Sequence, residues 1–161
     1  IGHLFITFKT NLFVNDYNKR IKYNIKRIKK LPKIKPVHLG VKVTASSSSS
    51  KEFRADNIID ANLFTRWQYA QDDNERWIEL DFKSPKTFNR VICGEYKRAV
   101  ESFKIEALIK GEWKVLVSGE KIGNNFNASF KAVSAQKYRL TILKASKLKL
   151  PYIAELTFVK Y

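Results

Sequence analysis

The chain has 161 residues, 44% hydrophobic and 13% aromatic, which is room for one domain with a real core plus an appendage and too little for two full domains. One cysteine, Cys93, and two histidines, His3 and His38, exclude an internal disulfide framework, a multi-cysteine zinc centre and a three-histidine metal site. The formal net charge is +16, and no apolar run reaches the roughly 18–20 residues a membrane-spanning helix needs.

The chain begins at Ile1 rather than Met, which reads as a fragment or a processed product with no visible signal peptide. Residues 1–39 form a basic extension. Residues 1–40 carry ten Lys and Arg against one acid, Asp16. A short apolar run, Leu4, Phe5, Ile6 and Phe8, suits a strand. Val14, Tyr17, Ile21, Ile25, Ile28 and Leu31 then recur at helical spacing, opened by Asn15 or Asp16 and stopped by Pro32 and Pro36. Such a helix lies on a membrane surface or docks its apolar stripe on a neighbouring domain, and docking is the commoner use. No nucleic-acid motif accompanies the charge, so nucleic acid is not an expected partner.

Residues 40–161 read as all-β. Eight short apolar or alternating runs, at 41–44, 77–82, 88–93, 102–109, 113–117, 126–130, 137–143 and 152–159, lie between turn signals with no convincing helix among them. That pattern belongs to a sandwich or barrel. Gly111 marks one turn and Gly123-Asn124-Asn125 another, and Cys93 falls within an apolar strand as a core thiol.

Asp60, Asn62 and Thr65 crowd oxygen atoms into six residues, and Glu155 offers a carboxylate from the last strand. Calcium takes six to eight hard oxygens of these kinds. An Asp-x-Asn loop also occurs simply as a turn, and spacing alone leaves both readings open.

A larger set of motifs bears on the choice. Val43-Thr44-Ala45, Asp60 with Thr65-Arg66-Trp67, Trp77 with Glu79 and Asp81, Phe88-Asn89-Arg90-Val91, Phe103-Lys104-Ile105, Glu112-Trp113-Lys114, Tyr138-Arg139-Leu140 and Ile153-Ala154-Glu155 follow one another in order. Over residues 40–161 this set resembles a discoidin domain, the coagulation factor V/VIII type C family that includes the family 32 carbohydrate-binding modules. It is most similar to the domain that follows the catalytic domain in bacterial α-L-fucosidases of glycoside hydrolase family 29. Residues 1–39 match no fucosidase catalytic domain.

The resemblance implies an eight-stranded, galactose-binding-like jelly-roll β-sandwich with a structural Ca2+. Its ligands would be the carbonyls of Asn57, Asn62 and Ala154, the carboxylates of Asp60 and Glu155, and the oxygens of Thr65. Ala61 stands where the family places a glycine, which strains the turn. The family's sugar site lies on loops near the calcium, where an aromatic ring stacks on the sugar and polar groups converge on it. Tyr69, Tyr96, Arg98 and Asn125 are the candidates. No loop histidine of the galactose-binding members is present.

Glycoside hydrolysis needs two facing carboxylates. Glu79, Asp81 and Glu101 fall at solvent-facing strand positions, and Asp60 and Glu155 serve the metal. The chain is therefore expected to be non-catalytic, a carbohydrate-binding module accessory to a secreted or periplasmic bacterial fucosidase-like enzyme. Its expected partners are fucosylated or galactosylated glycans and a catalytic glycosidase domain. The alternative is an interaction domain that binds protein, anionic glycan or lipid, or that completes the active site of a parent fucosidase.

Overall fold

The computed structural model describes residues 40–62 and 64–160. The described residues all belong to one compact unit, His38–Tyr161. The helix and apolar run expected in residues 1–39 lie outside the described residues.

Six strands form in chain order: β1 (Lys42–Ala45), β2 (Trp77–Tyr96), β3 (Val100–Ile109), β4 (Glu112–Gly119), β5 (Phe126–Ala145) and β6 (Tyr152–Val159). All their pairings are antiparallel, in the order β1-β2-β5-β3-β4 with β6 on β2. β2 and β5 are 20 residues long, and their register shifts between Asp81 and Lys86. Pro85, which cannot donate to a ladder, lies in that shift. The first half of β2 pairs with β1 and the second half of β5, whereas its second half pairs with β6 and the first half of β5. Counted by halves these are the eight expected strands, laid out as two sheets.

The faces of the two sheets close on one core. Period-two alternation aims Ile78, Leu80, Phe103, Ile105 and Leu140 inward from one sheet, and Val91, Cys93, Leu156 and Phe158 from the other, all fully buried. Tyr138 of β5 and Phe158 of β6 belong to strands that do not pair, yet their rings are 4.7 Å apart. The Tyr138 hydroxyl lies 2.8 Å from the Lys86 carbonyl and 3.0 Å from that of Val133, so it ties the bends of both long strands together. Cys93 is the expected core thiol, and burial followed by the Glu95 and Glu155 charges pushes its ionisation far above the ordinary range. Lys110 (φ 51°) and Gly111 (φ 84°) join β3 to β4 in a two-residue turn with both φ positive, as a right-twisted hairpin requires.

The outer face of the larger sheet departs from expectation at Glu79, which is 6% exposed rather than solvent-facing. Its carboxylate takes Lys137 Nζ and Arg139 Nη2, each at 2.9 Å. The Arg139 guanidinium in turn lies 4.4 Å from the Trp77 ring and 4.0 Å from the Trp113 ring. Two strand tryptophans roofing an arginine bury the ion pair from the outside.

Register decides where the loops emerge. Ala45 pairs with Ile78, Val100 with Ala145 and Tyr96 with Tyr152, and the bends of β2 and β5 lie at the opposite end. The connections 46–76, 97–99, 120–125 and 146–151 therefore gather at one end of the sandwich.

Candidate functional site

The longest connection, 46–76, is anchored from beneath. Trp67 is fully buried, exchanges backbone hydrogen bonds of 2.8 and 2.9 Å with Ile153, and donates its indole N–H to the Ser47 carbonyl at 2.9 Å. Ahead of it, Ala55–Ile59 form a 3-10 turn. Asn57, buried within this turn, donates its amide to the carbonyls of Glu52 and Arg66, both at 2.7 Å, and so clamps the two ends of the intervening loop.

That loop carries the oxygen cluster. Asp60 accepts the Asn62 amide at 2.9 Å through Oδ1, and its Oδ2 is 2.7 Å from the Thr65 hydroxyl. The Asn62 carbonyl lies 2.8 Å from the same hydroxyl. Ala61 sits in the left-handed region at φ 59°, the strain the sequence implies where a glycine is absent. Glu155 reaches this loop from β6. Burial, and next the Asp60 charge, push its carboxyl up to about 7, with the Asn62 and Ala61 amides only partly offsetting them. Glu155 Oε1 is buried and without a hydrogen-bond partner. Two carboxylates that repel each other, one holding an orphaned oxygen, among carbonyl and hydroxyl oxygens form a donor set that fits a hard divalent cation. Among the described residues no three His, Cys, Asp or Glu side chains are grouped so as to hold a metal ion by themselves, so such a site would draw on carbonyl and hydroxyl oxygens as well.

Beside the loop lies an aromatic and cationic cluster. Tyr96 at the end of β2 is 49% exposed, and the Arg66 guanidinium lies 3.9 Å from its ring centroid. Arg66 is also 5.9 Å from the Tyr152 ring, Lys97 Nζ is 4.7 Å from it, and Phe53 meets it edge-on at 5.2 Å. Buried Glu95 fixes the neighbouring loops. Its Oε1 accepts the amides of Ala99 and Val100 at 2.5 and 2.8 Å, and its Oε2 accepts that of Gly123 at 3.3 Å. Three donors converge on one carboxylate, so Glu95→Gln places an NH2 against an N–H. It is expected to cost about 1–3 kcal/mol, read by urea unfolding, and to increase hydrogen exchange at residues 97–100 and 123–125.

Of the expected sugar-binding residues, Tyr96, Arg98 and Asn125 are exposed in or beside the loops that Glu95 joins. Tyr69 is a correction. It is 2% exposed, packed 6.0 Å from the Trp67 ring, and has no open face on which to stack a sugar. The whole run Trp67, Gln68, Tyr69 is buried where the connection is bridged to β6. The structure adds Arg66 and Lys97 to the residues gathered around these rings. Arg66 falls within the motif Thr65-Arg66-Trp67, but nothing in one dimension links it to Tyr96.

A sandwich with its long loops gathered at one end, an oxygen-rich loop and an exposed ring beside it is the architecture of a binding module of the discoidin type. The F5/8 type C domain profile matches residues 42–156, and the chain belongs to that family. Among solved structures, SpGH29 is similar at 25% identity with a TM-score of 0.71, over 78% of this chain and 28% of that one. A GH29 fucosidase of Ruminococcus gnavus, solved with fucose, is similar at 24% identity and a TM-score of 0.68, over 76% of this chain and 25% of that one. The family 32 module of C. perfringens NanJ, solved with galactose, has 16% identity and a TM-score of 0.65, over 73% of this chain and 92% of that module. This chain thus spans about a quarter of the two GH29 chains and nearly all of the galactose-binding module. No curated protein matches it.

Proposed function

We propose that the chain is a non-catalytic carbohydrate-binding module that serves a secreted or periplasmic fucosidase-like glycoside hydrolase, holding terminal fucosylated or galactosylated sugars at its loop end. The observation that carries this reading is Tyr96, half exposed, with Arg66 stacked on its ring and Arg98 and Asn125 in the adjoining loops. An aromatic ring held in place by its neighbours and flanked by hydrogen-bond donors suits the apolar face and hydroxyl rim of a pyranose. Membership of the family supports the binding role, and the likeness to the GH29 chains supports a fucosidase-like parent. The module would work by targeting, since weak sugar binding raises the local concentration of a linked catalytic domain.

In the same reading the loop holds a structural Ca2+ through the carboxylates of Asp60 and Glu155 and the oxygens of Asn57, Asn62, Thr65 and Ala154. The ion would supply charge neutralisation and tie residue 60 to residue 155.

A glycan array carrying fucosylated and galactosylated ligands, with calcium present, tests the proposal. Binding to a defined terminal sugar that persists at moderate salt is expected, with Tyr96→Ala losing about tenfold or more in affinity. A second reading, an interaction domain, is favoured by Phe64 and Leu148, which are 87% and 91% exposed on a chain of charge +16. It predicts no sugar specificity and binding that fades with salt.

A further inference from the structure

The loop end holds a second feature, a groove of about 410 Å³ between the turn before β2 and the β5–β6 connection. Arg76, Lys147 and Lys149 line it, with Gln71 and Ser146 between them and Tyr69 at its wall. Its lining holds three cations and no acid. From this composition we infer that the groove is a subsite for an anionic substituent of a glycan, a sulfate ester or a carboxylate, so that the module prefers charged sugars; this rests on the carbohydrate-binding reading above.

The site is built rather than incidental. Arg76 has φ 52°, and both sides of its backbone are pinned. Its amide donates to Asp73 Oδ1 at 3.1 Å, and its carbonyl accepts the Ile142 amide at 3.0 Å. Its Nε is spent on the Asp73 carbonyl at 3.0 Å, which leaves the two Nη groups as the pair a planar or tetrahedral oxyanion takes. The opposite wall is fixed by the Ser146 amide on the Ala99 carbonyl at 2.8 Å.

The side chains of the acids nearest in sequence are held by other partners. The Asp73 carboxylate accepts the hydroxyls of Ser46 and Ser47, each at 2.5 Å, and the amides of Glu75 and Arg76. Burial pushes its pKa up, and these donors more than reverse that, so it stays an anion already engaged with its own loop. Glu75 accepts the Trp77 indole N–H at 2.8 Å. The groove has room for an anionic substituent reaching in from a sugar held at the neighbouring loops.

The test pairs sulfated with unsulfated forms of the same fucosylated and galactosylated oligosaccharides, titrated by calorimetry at moderate salt. The unaltered chain is expected to bind the sulfated member at least tenfold more tightly. Lys147→Glu with Lys149→Glu, both exposed positions, should erase that preference and leave the unsulfated affinity unchanged. A control with the same charge change at the opposite end, Lys86→Glu with Lys131→Glu, should keep it. Equal affinity for both forms, or equal loss in the groove variant and the control, would overturn the inference while unsulfated binding upheld the module reading. Failure of every ligand to bind overturns both.

Discussion

Trp67→Ala is expected to remove about 3–5 kcal/mol of stability, the usual range for a large aromatic deleted from a core. A domain of this size has only about 5–15 kcal/mol in all, so the variant should lose a large share of its stability and melt well below the unaltered chain. The cost is high because the Trp67 side chain fills core volume with no exposure and donates its indole N–H to Ser47, at the point where the 46–76 connection is bridged to β6. Trp67→Phe keeps most of the volume and loses the indole donor, and should cost less than half as much. Urea unfolding followed by circular dichroism reads both. A change under about 1 kcal/mol for Trp67→Ala would mean that the long connection is not anchored as described.

Calcium is expected to give the second large effect. At about a hundred to a thousand times its dissociation constant, a ligand that binds only the folded state adds about 2.7–4 kcal/mol, a rise in melting temperature on the order of 10 °C for a domain of this length. The sharper form of the prediction is a reversal of sign. With a chelator present, Glu155 is a half-buried carboxyl with an unpartnered oxygen facing Asp60, so Glu155→Gln should be as stable as the unaltered chain or more so. With calcium present the variant should be the less stable of the two, having lost a charged ligand. Identical melting in chelator and calcium would remove the metal from the account.

Most of the architecture was legible in the sequence because period-two alternation is a local signal. Ile78, Leu80 and Phe82, and later Tyr138, Leu140 and Ile142, announce their own buried faces. What alternation does not announce is continuity. The polar stretch Lys83, Ser84, Pro85, Lys86 reads as a break, yet the chain stays in strand and absorbs the irregularity as a register shift, so pairs of expected strands are the two halves of β2 and β5. Burial on an outer face is equally silent. Glu79 alternates as a solvent-facing residue should, and only the pairing with β5 brings Lys137 and Arg139 to it, beneath Trp77 and Trp113.

At the site, the oxygen cluster was readable because Asp60, Asn62 and Thr65 are neighbours in sequence. The aromatic cluster was readable only as a list of loop aromatics. Tyr69 and Tyr96 both lie in or beside loops, yet one supports the core and the other faces solvent, and that difference depends on a bridge between Trp67 and Ile153, two residues far apart in sequence. The groove left no one-dimensional trace at all, because Arg76 and the Lys147–Lys149 turn meet only through the fold.

The central claim is that sugar is held at the loop end beside the oxygen-rich loop. The most direct test is a titration of the isotope-labelled chain with fucose and with galactose, in calcium, followed by backbone amide NMR. Shifts that saturate and concentrate at residues 66, 96–99 and 123–125 are the expected result. Saturable shifts confined to the outer face of the larger sheet, around Trp77, Trp113 and Arg139, or no saturable shift with either sugar, would contradict it.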